Sequence, residues 1–502
     1  MKGENIVEND RRGDTWALVS IAAVVALVHV LTNGRYGFHR DELQVLSDAR
    51  HLDWGFVPYP PLTPVVERIS MSVFGLSLVG LRLASVIAQA ILIVVAGLMA
   101  RELGGGRLAQ VTTALAVALS PLALFEGTEF QYTTFDNLWW VLIAYFVIRL
   151  LKTEDPRWWL AIGATIGIGF QTKYTMGFFL CGVMGGVLLT NARRYLASGW
   201  FWGGMAFGFA ICAPNLLWQA KHGFISLHFL QHIHQRDVEE GRAQGFLWDQ
   251  FWLCANLFAA PLWIAGLVGY LRERRYRMLG WMYLIPLALF WVGKGRGYYL
   301  GGAYPMLMAM GGVVGERWVR SFSKIPRRSV EALFFTGLVA CGLAVSVIII
   351  PWASSGRLMK FALENNGDLR EEIGWDEMVK TVAGIRDSLP PAQQSAGVLV
   401  GNYGEQGAIE ILGPAYHLPL PISLTNSAWL RGYPEPTPSA LIIVGFSDEW
   451  VEENFTGCRL AGHNTNSLGV KNEETKDHPD IFVCGGPRQS WLEFWKNHLS
   501  YG

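Results

Sequence analysis

Apolar runs long enough to cross a bilayer core of about 30 Å recur from the start of this 502-residue chain well past its middle, and they leave few folds open. They fall near residues 16–31, 79–100, 108–126, 134–151, 157–172, 174–190, 198–218, 248–271, 278–293, 298–315 and 331–352. Counted so, they make about eleven transmembrane helices. The fifth and sixth are short and separated only by Gln171-Thr172-Lys173-Tyr174, so a re-entrant pair there is an open alternative. Hydrophobic residues make up 51% of the chain and charged ones 16%, against about 25% charged in soluble domains. The expected class is a polytopic α-helical membrane protein. The first run continues into Thr32-Asn33-Gly34-Arg35-Tyr36 without a small-residue cleavage site, which reads as an uncleaved anchor.

A formal net charge of zero hides a strong segregation, and it supports no nucleic-acid partner. With residues 1–14 as a cytoplasmic tail, the cations Arg101 and Arg107, Lys152 and Arg157, Arg193 and Arg194, the group from Arg272 to Arg277 and the group from Arg317 to Arg328 share one side. That side is the cytoplasm of a plasma (inner) membrane protein. The odd count then places residues 353–502 outside. This part has a different texture: β-rich runs at Val398 to Asn402, Leu441 to Phe446 and Ile481 to Cys484 alternate with helical patterns, as in a small α/β domain. In Glu372 to Leu389, the residues Trp375, Met378, Val382 and Ile385 trace one apolar helix face. Cys458 and Cys484 lie in this domain and form a candidate disulfide if it is extracytoplasmic.

The membrane domain, 15–352, carries an outer loop at 34–78 that gathers unusual chemistry. Asp41-Glu42 is the first paired carboxylate of the chain, set among Arg35, His39, Arg40, Arg50, His51 and Trp54. Tyr59-Pro60-Pro61-Leu62 follows as a stiff turn, because proline restricts both its own φ and the residue before it. Such a loop can hold Asp41 in a fixed pose as a catalytic base. The competing structural reading is an acidic cap on an interfacial helix. Asp136 stands at the start of the fourth apolar run, where a charge is costly and marks function, although an acid near a helix N-terminus also complements the dipole. Lys173 beside Tyr174, and Lys294 and Arg296 beside Tyr298 and Tyr299, are cations on the side where few are expected. They suit a phosphate. Snorkelling and an aromatic belt are the alternative. His228 and His232, four apart, are a weak metal pair.

Taken together and in this order, Asp41-Glu42, Tyr59-Pro60-Pro61-Leu62, Phe135-Asp136, Gln171-Thr172-Lys173-Tyr174 and Gly297-Tyr298-Tyr299-Leu300 through Pro305 resemble glycosyltransferase family 39 over about residues 15–315. That family has the GT-C fold and includes protein O-mannosyltransferases and the lipid A aminoarabinose transferase. The run Asn402-Tyr403-Gly404-Glu405-Gln406-Gly407-Ala408-Ile409 also looks like the C-terminal domain of bacterial members. The resemblance implies an inverting transferase with a polyprenyl-phosphate sugar as donor, a glycan, lipid or protein acceptor, and membrane lipids around it. Asp41 would deprotonate the acceptor, with Glu42 and Asp136 shaping the site or holding a metal. Lys173, Lys294, Arg296 and Tyr298 would take the carrier phosphate, and Arg40, Tyr59, Pro60 and Pro61 would shape the loop. A divalent metal is a candidate cofactor, with Asp41, Glu42, His228 and His232 as candidate ligands, and no nucleotide cofactor is expected. Tyr59 departs from the basic or His residue common before the Pro-Pro pair. The alternative function is a transporter or flippase of lipid-linked sugar, which often shows duplicated halves; no such repeat is found in the sequence.

Overall fold

The computed structural model describes residues 2–502, with side chains from residue 13 onward. Its internal contacts divide it into two compact units. The helical unit comprises residues up to Asn33, Arg82–Gly223 and His234–Ile350; the sheet-containing unit comprises Gly34–Leu81, Phe224–Ile233 and Pro351–Gly502.

In the helical unit, the apolar runs lie mainly on helix, several of them interrupted. Among the described residues five helices, Gly13–Thr32, Leu78–Glu102, Tyr132–Thr153, Gly199–Lys221 and Lys324–Ile349, are long and apolar enough to cross a membrane, or up to seven if each of two sharply bent pairs is one span. The breaks have local causes. Ser120 caps the Pro121–Glu126 helix, with proline at its first position, and so divides the run at 108–126. Gly297–Ala303 forms a 3-10 segment before the Tyr304–Arg320 helix. The Trp158–Phe170 and Met176–Leu189 helices are separated at Gln171 to Thr175, which leaves Lys173 at the break. Helix pairs close on glycine: a Cβ on Gly163 would collide with the Gly204 carbonyl, and one on Gly266 with that of Leu307. Small residues let backbones approach where lipid supplies no hydrophobic drive.

The second unit is built on a five-stranded mixed sheet in the order β2-β1-β3-β5-β4, with β1 Gly397–Val400, β2 Pro421–Ser423, β3 Leu441–Val444, β4 Arg459–His463 and β5 Asp480–Cys484. β1 runs parallel to β2 and β3, and β5 antiparallel to β3 and β4. Side chains alternate between its faces. Val398, Val400, Ile442, Val444, Ile481 and Val483 pack with the Trp375–Ser388 helix on one side. Leu399, Leu441, Ile443 and Phe482 pack with Val451, Phe455 and Phe494 on the other. The loop segment 34–78, assigned from sequence to the membrane domain, groups here with the sheet. Leu43 and Leu46 of the Arg40–Arg50 helix are buried in the first of these cores, which supplies the physical reason.

Cys458 and Cys484 are disulfide-bonded across 26 residues. Closing a loop of that length stabilises the folded domain by about 3 kcal/mol. Reduction, or Cys458→Ser with Cys484→Ser, is therefore expected to lower its unfolding midpoint in denaturant; an unchanged midpoint would rule the bond out as a structural staple.

Candidate active site

The Arg40–Arg50 helix presents the paired carboxylates in its first turn. His39 is the N-cap: its Nδ1 accepts from the Asp41 N–H at 3.2 Å, and the His39 N–H donates to Glu42 Oε2 at 2.8 Å. This reciprocal capping box engages Glu42, which is buried, so the acidic-cap reading holds for that residue. Asp41 is placed differently. It stays half-buried, and its Oδ1 accepts a hydrogen bond from the Tyr403 hydroxyl at 3.0 Å. Arg40 lies 4.6 Å over the Tyr403 ring and pairs with Glu473.

Further along the same helix, Asp48 is 2% exposed, and sequence reasoning overlooked it. It takes hydrogen bonds from Tyr59 at 2.7 Å and from Arg431. The stiff Tyr59-Pro60-Pro61 turn is thereby tied to the helix, with Pro61 capping the Leu62–Phe74 helix that follows. Ser47 donates to Glu410 Oε2 at 2.6 Å and accepts from Gln406 and from Arg431, each at 2.8 Å. Burial pushes the Asp48 carboxyl up to about 6, against the opposing pull of Arg431 and Tyr59. Burial also acts to raise Glu410, but hydrogen bonds from His51 and Ser47 and the charge of Arg431 outweigh it and lower the group. The sequence signal for this network is slight, a polar pair Ser47-Asp48 in the second half of the helix; Glu410 and Arg431 lie more than 350 positions away.

His228 and His232 lie on the Ile225–Glu239 helix, where the His232 ring sits 5.7 Å from that of Tyr501. Among the described residues, no group of three or more His, Cys, Asp or Glu side chains is placed to hold a metal ion.

In the helical unit, Lys173 Nζ stands over three tyrosine rings, Tyr299 at 4.8 Å, Tyr132 at 5.0 Å and Tyr298 at 5.2 Å, and reaches Thr133 Oγ1 at 3.2 Å. Ring faces attract a cation through their quadrupole, and the buried Asp136 and Glu126 carboxylates also interact with this ammonium electrostatically. Asp136 is 2% exposed and sits beyond the first turn of the Tyr132–Thr153 helix, which weakens a pure dipole explanation. Thr175 and Trp140 donate to it at 2.7 and 3.2 Å. Glu126, buried nearby in sequence, is hydrogen-bonded by Gln89 and Asn137. Arg296 is held by Asp237 through two hydrogen bonds of 2.6 Å, a pairing that sequence reading did not foresee. Lys294 is exposed and lines a groove of about 450 Å³ with Trp248 and Trp291.

Comparison with known proteins bears on the fold first. The chain superposes on ArnT from Cupriavidus metallidurans bound to undecaprenyl phosphate with a TM-score of 0.57 at 14% identity, covering 93% of this chain and 97% of that one. The fold is GT-C. Residues 59–218 match the family described as dolichyl-phosphate-mannose-protein mannosyltransferase. The undecaprenyl phosphate-alpha-4-amino-4-deoxy-L-arabinose arabinosyl transferase of Pseudomonas aeruginosa is 26% identical over 363 residues, 66% of this chain and 64% of the relative. The lipid A galacturonosyltransferase RgtD of Rhizobium johnstonii is 25% identical over 256 residues, 49% of this chain and 53% of the relative. The chain thus spans somewhat under two thirds of the first relative's length and about half of the second's. The GT-C resemblance drawn from the motifs stands, and the small C-terminal sheet is part of the molecule.

Proposed function

We propose that this protein is an inverting membrane glycosyltransferase that moves a sugar from a polyprenyl-phosphate carrier to an acceptor hydroxyl on a glycan, lipid or protein. What carries the proposal is the Asp41 carboxylate, half-buried at the start of its helix and hydrogen-bonded by Tyr403. Both curated relatives named above transfer sugars, which supports the transferase over a transporter. In this reading about eleven segments cross the plasma membrane. The N-terminus is cytoplasmic and residues 353–502 are extracytoplasmic, where a disulfide is stable.

Asp41 takes the acceptor's proton as the acceptor oxygen bonds the anomeric carbon. The bond from that carbon to the carrier phosphate oxygen breaks, and its electron pair leaves with polyprenyl phosphate. Lys173 stabilises the charge on that departing phosphate. The proton then passes from Asp41 to water. A single displacement inverts the anomeric centre, and its oxocarbenium-like transition state needs no nucleotide cofactor. Tyr298 frames Lys173. Arg296, engaged by Asp237, orders the Gly295–Gly297 segment and meets phosphate only if that pair opens, while Lys294 offers charge at the groove. Asp136 holds the Thr175 end of the break that carries Lys173. Glu42, Arg40, Tyr59, Pro60 and Pro61 set the shape of the Asp41 loop.

The test supplies membranes containing the protein with a panel of labelled undecaprenyl-phosphate sugars and follows both free undecaprenyl phosphate and labelled product. Label that changes leaflet with its phosphate bond intact would establish a transporter instead. Within this assay Lys173→Met is expected to lower kcat/KM by about tenfold to a hundredfold, the scale of one lost charged hydrogen bond. Unaltered kcat/KM would remove Lys173 from the phosphate site.

A further inference from the structure

The run Asn402-Tyr403-Gly404-Glu405-Gln406-Gly407 opens the Tyr403–Leu412 helix of the sheet-containing unit. Its start is sharply defined. The Asn402 side chain accepts from the Glu405 N–H at 2.9 Å, and Glu405 Oε2 accepts from the N–H groups of Gly401 and Asn402 at 2.9 and 3.2 Å. This capping box settles where the helix begins, with Tyr403 as its first residue.

The rest of the run brings this helix against the Arg40–Arg50 helix. A Cβ on Gly407 would collide with the carbonyl of Leu43, and one on Gly404 would press on Arg40 Cβ at 3.1 Å and on the Trp375 ring. Only glycine permits this approach. Gln406 completes it by donating to Ser47 Oγ at 2.8 Å. The consequence is that the Tyr403 hydroxyl lies 3.0 Å from Asp41 Oδ1, while its ring supports the Arg40 guanidinium at 4.6 Å.

We propose that Tyr403 is a positioning residue for the reaction: its hydroxyl anchors one oxygen of Asp41, and the Asn402–Gly407 run exists to place that hydroxyl. The inference rests on the reading of Asp41 as the base. A hydrogen bond to one oxygen restricts rotation of the carboxylate and so orients the group for proton transfer. Base catalysis depends steeply on such orientation. The C-terminal domain thereby supplies a part of the catalytic apparatus.

The experiment compares wild type, Tyr403→Phe and Asp41→Asn as full-length protein in nanodiscs, with the labelled undecaprenyl-phosphate sugar that supports transfer by wild type. Tyr416→Phe, which removes a hydroxyl bonded to Asp376 at the exposed surface, serves as control and keeps wild-type rates. For Tyr403→Phe, kcat is expected to fall by about tenfold to a hundredfold, while donor KM, binding of undecaprenyl phosphate and the thermal midpoint stay at wild-type values. Wild-type kcat in Tyr403→Phe, alongside an inactive Asp41→Asn, would overturn the inference and leave the base in place. A raised KM with kcat kept, or a lowered thermal midpoint matching the activity loss, would overturn it too, since Tyr403 would then act on binding or on folding. Full turnover in Asp41→Asn would remove the base and this inference together.

Discussion

Asp41→Asn is expected to lower turnover by about 10²- to 10⁴-fold, the usual contribution of a positioned general base. The substitution is mild in structural terms. Asparagine keeps an oxygen for the Tyr403 hydroxyl and a backbone N–H for the His39 cap. What it loses is the capacity to accept a proton, together with a first-turn charge worth about 0.3–1 kcal/mol against the helix dipole. Binding of undecaprenyl phosphate, measured separately, should persist because Asp41 has no part in holding the carrier phosphate. Turnover within about tenfold of wild type would place the base elsewhere, and Asp136 would be the next carboxylate to test.

Arg431→Ala should have the largest effect on stability. Its guanidinium lies between Asp48, 2% exposed, and Glu410, 3% exposed; removal leaves Asp48 with the Tyr59 hydroxyl and no ion-pair partner, and Glu410 with His51 and Ser47. Breaking a buried pair from one side costs about 3–5 kcal/mol. Arg431 is itself 24% exposed, so the lower end, about 3 kcal/mol, is the better figure. Adding Asp48→Asn should restore part of the loss by removing one stranded charge. Thermal unfolding of the purified protein reads both steps. A midpoint unchanged by Arg431→Ala would mean that water screens the site and that the network does not hold the Arg40–Arg50 helix. Since this helix carries Asp41, the less stable variant should also lose activity, and the double variant should regain some of it.

The elements legible in the sequence are those with a strong local signal. The Trp375–Ser388 helix lies within the stretch expected from its apolar spacing, with Trp375, Met378, Val382 and Ile385 all buried. β1, β3 and β5 coincide with the β-rich runs because central strands buried on both faces are continuously apolar. The edge strands β2 and β4 escaped notice. One has three residues, and the other, Arg-Leu-Ala-Gly-His, is largely exposed and polar, as edges are. The Asn402-x-x-Glu405 capping box was written in the sequence, yet its purpose was not, because a cap fixes only where a helix begins.

The sequence by itself determined the membrane character, the break at Lys173, the gathering of charge around Asp41 and Glu42, and the resemblance to a transferase family. These are properties of periodicity, composition and adjacency, and they need no knowledge of distant contacts. Tertiary structure alone decided the partners. It separated Asp41, held by Tyr403 from 362 positions away, from its neighbour Glu42, which closes a local cap. It joined Arg296 to Asp237 and ringed Lys173 with Tyr132, Tyr298 and Tyr299. It brought Asp48, Glu410 and Arg431 into one buried network. A charge shows its cost along the chain, but the group that offsets that cost is chosen by packing, which the chain acquires only on folding.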